Sequence, residues 1–369
     1  MDLSAFGWDG DFERKFQKFK EEDFLPARVV ESNRLAYTLF SDVGEILGKL
    51  SGNYRIKCQS NGDYPTVGDW IIFKPRTNTR FVSIQGMLER KSKFSRKVSG
   101  RGLGEQVIAA NIDTIFIVSG LDQEFNVRRL ERYVVLAAES NAEFVFILNK
   151  ADLCKDADDI IAKTKSLFPN IHIFQVSALD NQGLDQLKQY IQYGKTIVFL
   201  GSSGVGKSTI INCLLGEERQ KTGHLSNHNG RGRHITSSKN LILLPSGGLV
   251  IDTPGLREIQ MLASGEGLGS AFSDIEQLSK NCKYKNCKHI DVAGCAVLAA
   301  VSDGTLSEKR LRSYHKLKRE IEYNNSRIDV KSKNKKNKFW RTVTKQRKQM
   351  QKKQKKQYIV YPNLDSNIH

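Results

Sequence analysis

The sequence predicts a multidomain chain. A small N-terminal β-barrel of the oligonucleotide-binding or SH3-like kind precedes a central α/β domain on a mostly parallel sheet, and a helical module with a Cys/His cluster follows. Three observations carry this. Short β-branched or aromatic runs separated by Asn, Gly and Asp occupy residues 25–90. Strands and helices then alternate through residues 91–257, and four Cys and His residues gather within the polar, helical stretch 258–325. Residues 1–24 read as an N-terminal extension and 326–369 as a basic tail.

In the first region, "ARVVES", "LAYTLF", "GEILGKL", "YRIKC" and "GDWIIF" read as five strands, the number that closes a small barrel. A connector with six Lys or Arg from Arg90 to Arg101 leads into the α/β domain. There "TIFIVSG" (114–120), "EFVFILN" (143–149), "IHIFQVSA" (171–178) and "KTIVFLG" (195–201) are apolar runs of buried-strand length. "VRRLERYVVLAAES", "DIIAKTKSLF" and "LDQLKQYI" between them have helical spacing, and "NLILLP" and "GLVIDTPG" add two further strands.

Composition narrows the class. The chain is 39% hydrophobic, and no run approaches the roughly 18 apolar residues of a membrane span. The acidic, aromatic N-terminus lacks the basic-then-apolar pattern of a secretory signal, so the expectation is a cytoplasmic protein with no membrane partner. With no extended apolar surface pattern, the expected state is a monomer. Six cysteines are too few for a disulfide scaffold in a chain of 369 residues. The net charge of +18 is concentrated: thirteen Lys or Arg and no acid lie between Lys331 and Lys356. Such a run binds polyanions by counterion release, and Phe339 and Trp340 inside it can stack on bases, which points to nucleic acid.

The chemistry lies at the strand ends. Gly201-Ser202-Ser203-Gly204-Val205-Gly206-Lys207-Ser208-Thr209 follows a strand and opens a helix, the context of a phosphate-binding loop. Glycines turn backbone N–H groups toward the phosphates, Lys207 neutralises the β- and γ-phosphates, and the Ser208 hydroxyl ligates magnesium. Asp252, closing the last strand, can hold magnesium through water, and the Gly255 N–H can meet the γ-phosphate. Asn149, Lys150 and Asp152 form a guanine-reading motif, since a carboxylate accepts from the guanine N1–H and amine, which adenine does not offer. Ser177 and Ala178, at the end of their own strand, supply a backbone N–H to the guanine carbonyl oxygen.

These elements make a guanine-nucleotide site in a permuted order, with the base-reading motif ahead of the phosphate loop. The domain reads as a circularly permuted P-loop GTPase that binds GTP or GDP with magnesium. Thr236, in the glycine-rich "GRGRHITSSK", is the expected magnesium-sensing threonine. Leu256 stands where familiar GTPases place a water-orienting glutamine, and His234 is the internal substitute for it. Cys282-x4-Cys287-x-His289-x5-Cys295 offers three thiolates and an imidazole, the donor set of one closed, structural zinc site.

With "YPTVGDW", "FSRKVSGRG", "EQVIAANIDT" and "GRGRHIT" added to the permuted order and the Cys/His spacing, the chain resembles a known family. These are the circularly permuted bacterial GTPases of late small-subunit maturation, the ribosome small subunit-dependent GTPase A family. The resemblance covers about residues 25–320. It implies an oligonucleotide-binding barrel, a permuted GTPase domain and a zinc domain, binding to the small ribosomal subunit through ribosomal RNA, and hydrolysis stimulated by that subunit. It also implies a role in hydrolysis for His234, and Cys282, Cys287, His289 and Cys295 as zinc ligands. The family carries two threonines after that histidine, whereas Ile235 and Thr236 follow here. The alternative reading is a GTP-sensing RNA-binding assembly factor whose hydrolysis is incidental.

Overall fold

The computed structural model describes residues 2–33, 36–75, 80–97, 105–123, 125–216, 239–252 and 265–326. Its N-terminal segment folds back onto the barrel rather than extending away from it. Asp9 caps helix α1 (Gly10–Phe16) by accepting from the N–H groups of Asp11 and Phe12. The rings of Trp8 and Phe12 lie 4.7 and 5.9 Å from that of buried Trp70.

In the barrel, β1 (Leu25–Ser32), β2 (Tyr37–Ser41) and β3 (Gly44–Leu50) form an antiparallel meander. The next expected strand is instead a helix, α2 (Gly52–Lys57). Ser51 accepts a hydrogen bond from the Tyr54 N–H, and no α2 residue is buried. Of "YRIKC" only Tyr54 packs against the barrel core, while Arg55, Ile56 and Lys57 are exposed, so the local cap decides the conformation. β4 (Trp70–Lys74) pairs with β1 and with β5 (Phe81–Met87), a strand absent from the five expected ones. β5 runs parallel to β3, which closes the barrel around Ala27, Val29, Leu39, Ile71, Phe73 and Ile84.

An antiparallel pair, β6 (Lys93–Lys97) and β7 (Glu105–Ala110), bridges to the α/β domain. There the chain runs β8 (Thr114–Gly120), α3 (Val127–Ala138), β9 (Glu143–Asn149), α4 (Ala157–Leu167) and β10 (Ile173–Gln175). A 3-10 helix (Leu184–Tyr190) follows, where an α-helix was expected, and then β11 (Thr196–Gly201) and α5 (Lys207–Leu215). β12 (Asn240–Leu243) and β13 (Leu249–Asp252) complete the sheet.

Across the sheet the order is β10-β9-β8-β11-β13-β12, parallel except for β12. Successive residues face opposite sides. Ile115, Ile117, Val198 and Leu200 join the core under α3, while Phe116, Val118, Ile197 and Phe199 join the one under α5. β12 also touches the barrel through the pair Glu31–Asn240, so the two sheets are continuous.

Arg28, 1% exposed, ties three parts of the chain together. Its guanidinium donates to the carbonyls of Phe6 in the N-terminal segment, Gly68 of the barrel and Asn111, and to the Thr196 hydroxyl of β11. Burial pulls its pKa down to about 10, so it remains a cation at neutral pH.

The C-terminal module comprises α6 (Glu266–Ala271), α7 (Ser273–Ser279), α8 (Ala296–Ser302) and α9 (308–326). It packs on the outer side of α3, and its buried side chains merge with the core under that helix. Among the described residues, no helix is long and apolar enough to cross a membrane.

Candidate functional site

The ends of β8, β9, β10 and β11 meet at one crevice. β11 ends at Gly201, where a Cβ would stand 2.4 Å from the Val118 carbonyl oxygen. Only glycine lets the chain turn so close to β8. Gly204 and Gly206 take φ of +80° and +95°, and a Cβ on Gly206 would stand 2.1 Å from Nδ2 of Asn149. The loop is therefore shaped against the other half of the site. Lys207 opens α5 and donates to the carbonyls of Gly201 and Ser202 at 2.9 and 2.5 Å. Ser208 and Thr209 occupy the first turn of the same helix, where free N–H groups and the helix dipole favour an anion.

Asn149 is 2% exposed and joins three motifs. Its Nδ2 donates to the Val205 carbonyl (2.9 Å), and its Oδ1 accepts from the Ala178 N–H (3.0 Å). One side chain thus fixes the phosphate loop, the guanine motif and the Ser177–Ala178 turn relative to one another. Lys150, in a left-handed conformation (φ 64°), reaches across to Asp122 Oδ2 at 2.7 Å. The Ser177 hydroxyl sits 2.7 Å from Asp152 Oδ1 and 3.0 Å from Asp180 Oδ2, which holds the Asp152 carboxylate at the rim. Burial raises the pKa of the Cys213 thiol on α5, which donates to the Ala178 carbonyl.

Asp252 closes β13 beside β11 and lies opposite Asn240 of β12. His234, Thr236 and Gly255 fall outside the described residues. Two residues at the site carry no motif. Asp122 lies in an ordinary-looking turn after β8, two residues beyond the strand. Tyr133 reads as a core aromatic of α3, yet its hydroxyl lies 3.0 Å from Ser202 Oγ of the phosphate loop. Only the fold brings Tyr133 to the loop and Asp122 to Lys150.

In the C-terminal module, the donor atoms of Cys282, Cys287, His289 and Cys295 all lie within 4.8 Å of one another. Cys282 and Cys295 Sγ are 3.8 Å apart, and His289 Nδ1 lies 3.7 and 3.4 Å from them. Tetrahedral zinc with its usual bond lengths requires about 3.8 Å between sulfurs and about 3.5 Å between sulfur and nitrogen. The four residues fit that metal. Burial, with Lys318 and His315 nearby, lowers the pKa of His289 and keeps the imidazole in the neutral form a metal needs.

Curated relatives agree with this geometry. A small ribosomal subunit biogenesis GTPase RsgA of Opitutus terrae is 41% identical over 338 residues, spanning 89% of this chain and 92% of its own. One from Vibrio parahaemolyticus, RsgA 2, is 39% identical over 326 residues, 88% of this chain and 87% of its own. The chain belongs to the RsgA family of GTPases. The RsgA GTPase family model matches residues 87–262, and a second model, 50S ribosome-binding GTPase, matches 196–363. Among solved structures, YjeQ from Thermotoga maritima superposes with a TM-score of 0.61 at 25% identity, over 81% of this chain and 98% of that one. YloQ, described as a circularly permuted GTPase, has the same fold, with a TM-score of 0.60 at 24% identity over 82% and 96% of the two chains. The RsgA architecture expected from sequence (barrel, permuted GTPase domain, helical module with a Cys/His cluster) is the one observed.

Proposed function

We propose that this RsgA-family chain binds magnesium–GTP in the crevice between β9 and β11. It would hydrolyse GTP in step with its binding to the small ribosomal subunit, through ribosomal RNA, late in that subunit's maturation in the cytoplasm. The observation that carries the nucleotide assignment is Asn149, buried and bonded to both the phosphate loop and the Ala178 turn. Asp152, held by Ser177, reads the guanine edge. The Ala178 and Ser177 N–H groups, expected to meet the guanine carbonyl oxygen, instead donate to Asn149 Oδ1 and the Gln182 carbonyl.

Hydrolysis of a phosphoanhydride asks the protein mainly for positioning and charge compensation. Lys207 holds its charge over the loop from the Gly201 and Ser202 carbonyls, where the β- and γ-phosphates would lie. Ser208, Asp252 and Thr236 would hold magnesium, which when bound offsets charge on the phosphate oxygens. His234 would orient the attacking water, and Gly255 would meet the γ-phosphate. Cys282, Cys287, His289 and Cys295 would hold zinc, whose closed coordination supplies folding energy rather than catalysis. The basic connector and the Lys331–Lys356 run support RNA as the partner.

The test is GTP hydrolysis by the purified chain alone and with small subunits, large subunits or transfer RNA. Stimulation confined to small subunits is expected, and equal stimulation by every polyanion would overturn the ribosomal reading. Leu256, in place of a glutamine, favours a second reading in which hydrolysis is incidental. A His234→Ala chain that no longer hydrolyses GTP yet still completes subunit maturation would establish that alternative.

A further inference from the structure

Helix α3 touches the phosphate loop on one side and the C-terminal module on the other. Toward the module, Glu131 pairs with Arg310 at 2.7 Å, both side chains being 3% exposed. The Ser313 hydroxyl also donates to Glu131. Arg310 is fixed further by the Ala271 carbonyl and by Asp274, and it lies 4.5 Å from the Phe272 ring centroid. The adjacent Arg132 makes a two-pronged pair with Glu320 of α9, at 2.8 and 2.7 Å. At the far end of α3, Glu139 accepts from the N–H groups of Gly265 and Gly267 at the start of α6. A Cβ on Gly267 would stand 2.4 Å from the Val135 carbonyl, so α6 lies directly on α3.

Separating Glu131 from Arg310 would leave a buried charge without its partner, so α3 and the module move as one body. Tyr133 follows Glu131 by two positions, about 200° around the helix, and so faces the other way. Its hydroxyl meets the Ser202 side chain at 3.0 Å, and the Ser202 carbonyl accepts from Lys207. The residue that Tyr133 holds is thus one of the two that aim the phosphate-binding lysine.

We propose that Tyr133 is a positioning residue for the phosphate loop, and that α3 is the rod through which the seating of the C-terminal module sets that loop. This rests on the reading of the loop as the GTP site. Because the module is reached directly by the chain that follows Asp252, a partner that shifts it would alter nucleotide affinity through α3 without touching the nucleotide.

The test is a double-mutant cycle on the full chain, with magnesium–GTP binding measured by calorimetry. Tyr133→Phe removes only a hydroxyl, and Glu320→Gln loosens a half-exposed pair, so the melting temperature reports whether each variant is folded. Tyr133→Phe is expected to weaken GTP binding about three- to tenfold, the range for one lost hydrogen bond. Glu320→Gln is expected to weaken it about twofold in the unsubstituted chain and to have no effect once Tyr133 is Phe, because the route is already cut. Unchanged affinity in Tyr133→Phe, or an effect of Glu320→Gln that is the same in both backgrounds, including none in either, overturns the inference while leaving the GTP site intact. Failure of the unsubstituted chain to bind GTP would instead overturn the site reading, and the inference with it.

Discussion

Gly206 has two independent reasons to be glycine: a φ of +95° and the Asn149 amide 2.1 Å from where a Cβ would be. Gly206→Ala is expected to push Asn149 out of its bonds to Val205 and Ala178 and to weaken GTP binding by tenfold or more, as read by calorimetry. Lys239 gives a pH-dependent counterpart. Burial, with Arg96 nearby, pushes its pKa down to about 8 from 10.5, and its Nζ donates to the Ile108 carbonyl. Between those two values the unfolded chain holds the proton that the folded chain has lost, so this residue's contribution to stability rises with pH. Lys239→Met is expected to melt at least as high as the unsubstituted chain at pH 7, since the Thr66 hydroxyl still serves the Ile108 carbonyl. That advantage should shrink as the pH rises from 8 to 10. At this scale the motif residues were legible because phosphate and guanine chemistry demand fixed residue types at fixed spacing. Asp122, Tyr133 and Arg28 were not, because their partners lie 28, 69 and up to 168 positions away and no local pattern announces them.

Among the elements, α3 and α9 are joined by two ion pairs, Glu131–Arg310 and Arg132–Glu320. Replacing Arg310 with Ala leaves Glu131 charged and buried, a change expected to cost about 3–5 kcal/mol in a denaturant titration. With zinc held as proposed, chelation, or Cys282→Ser, is expected to melt the short turns around Cys282, Cys287, His289 and Cys295. The resulting drop in melting temperature should come with new reactivity of Cys287 and Cys295 toward a thiol reagent. The parallel strands were readable as apolar runs because both of their faces are covered. Residues 54–58 form a helix rather than the expected strand because only Tyr54 reaches the barrel core, too little to enforce the alternation, and the Ser51 cap then determines the helix. The 3-10 helix at Leu184–Tyr190 shares its spacing of apolar residues with an α-helix, so sequence does not separate the two.

Over the whole molecule, the barrel, the N-terminal segment and the GTPase domain are fastened by Arg28 and by the aromatic cluster at Trp70. Deleting residues 1–24 is expected to uncover Trp70, which is fully buried. A red-shifted tryptophan emission and a lower melting temperature would register this. The sequence marked that segment as an extension because its Phe and Trp residues find their partners only once β4 is in place.

The permuted order also has a consequence for how the protein is made. β11, the middle of the central sheet, lies between β8, synthesised well before it, and β13, synthesised well after. A nascent chain that has released β8, β9 and β10 therefore carries an open seam along β8, and the sheet cannot be finished until Asp252 has emerged. Until β11 and the loop after it have emerged, the proposed guanine pocket is half built, with Asn149 lacking its Val205 partner. Long-range closures of this kind are slow. The growing chain thus keeps an open edge along β8 until β11 docks there, and one along β11 until β13 follows.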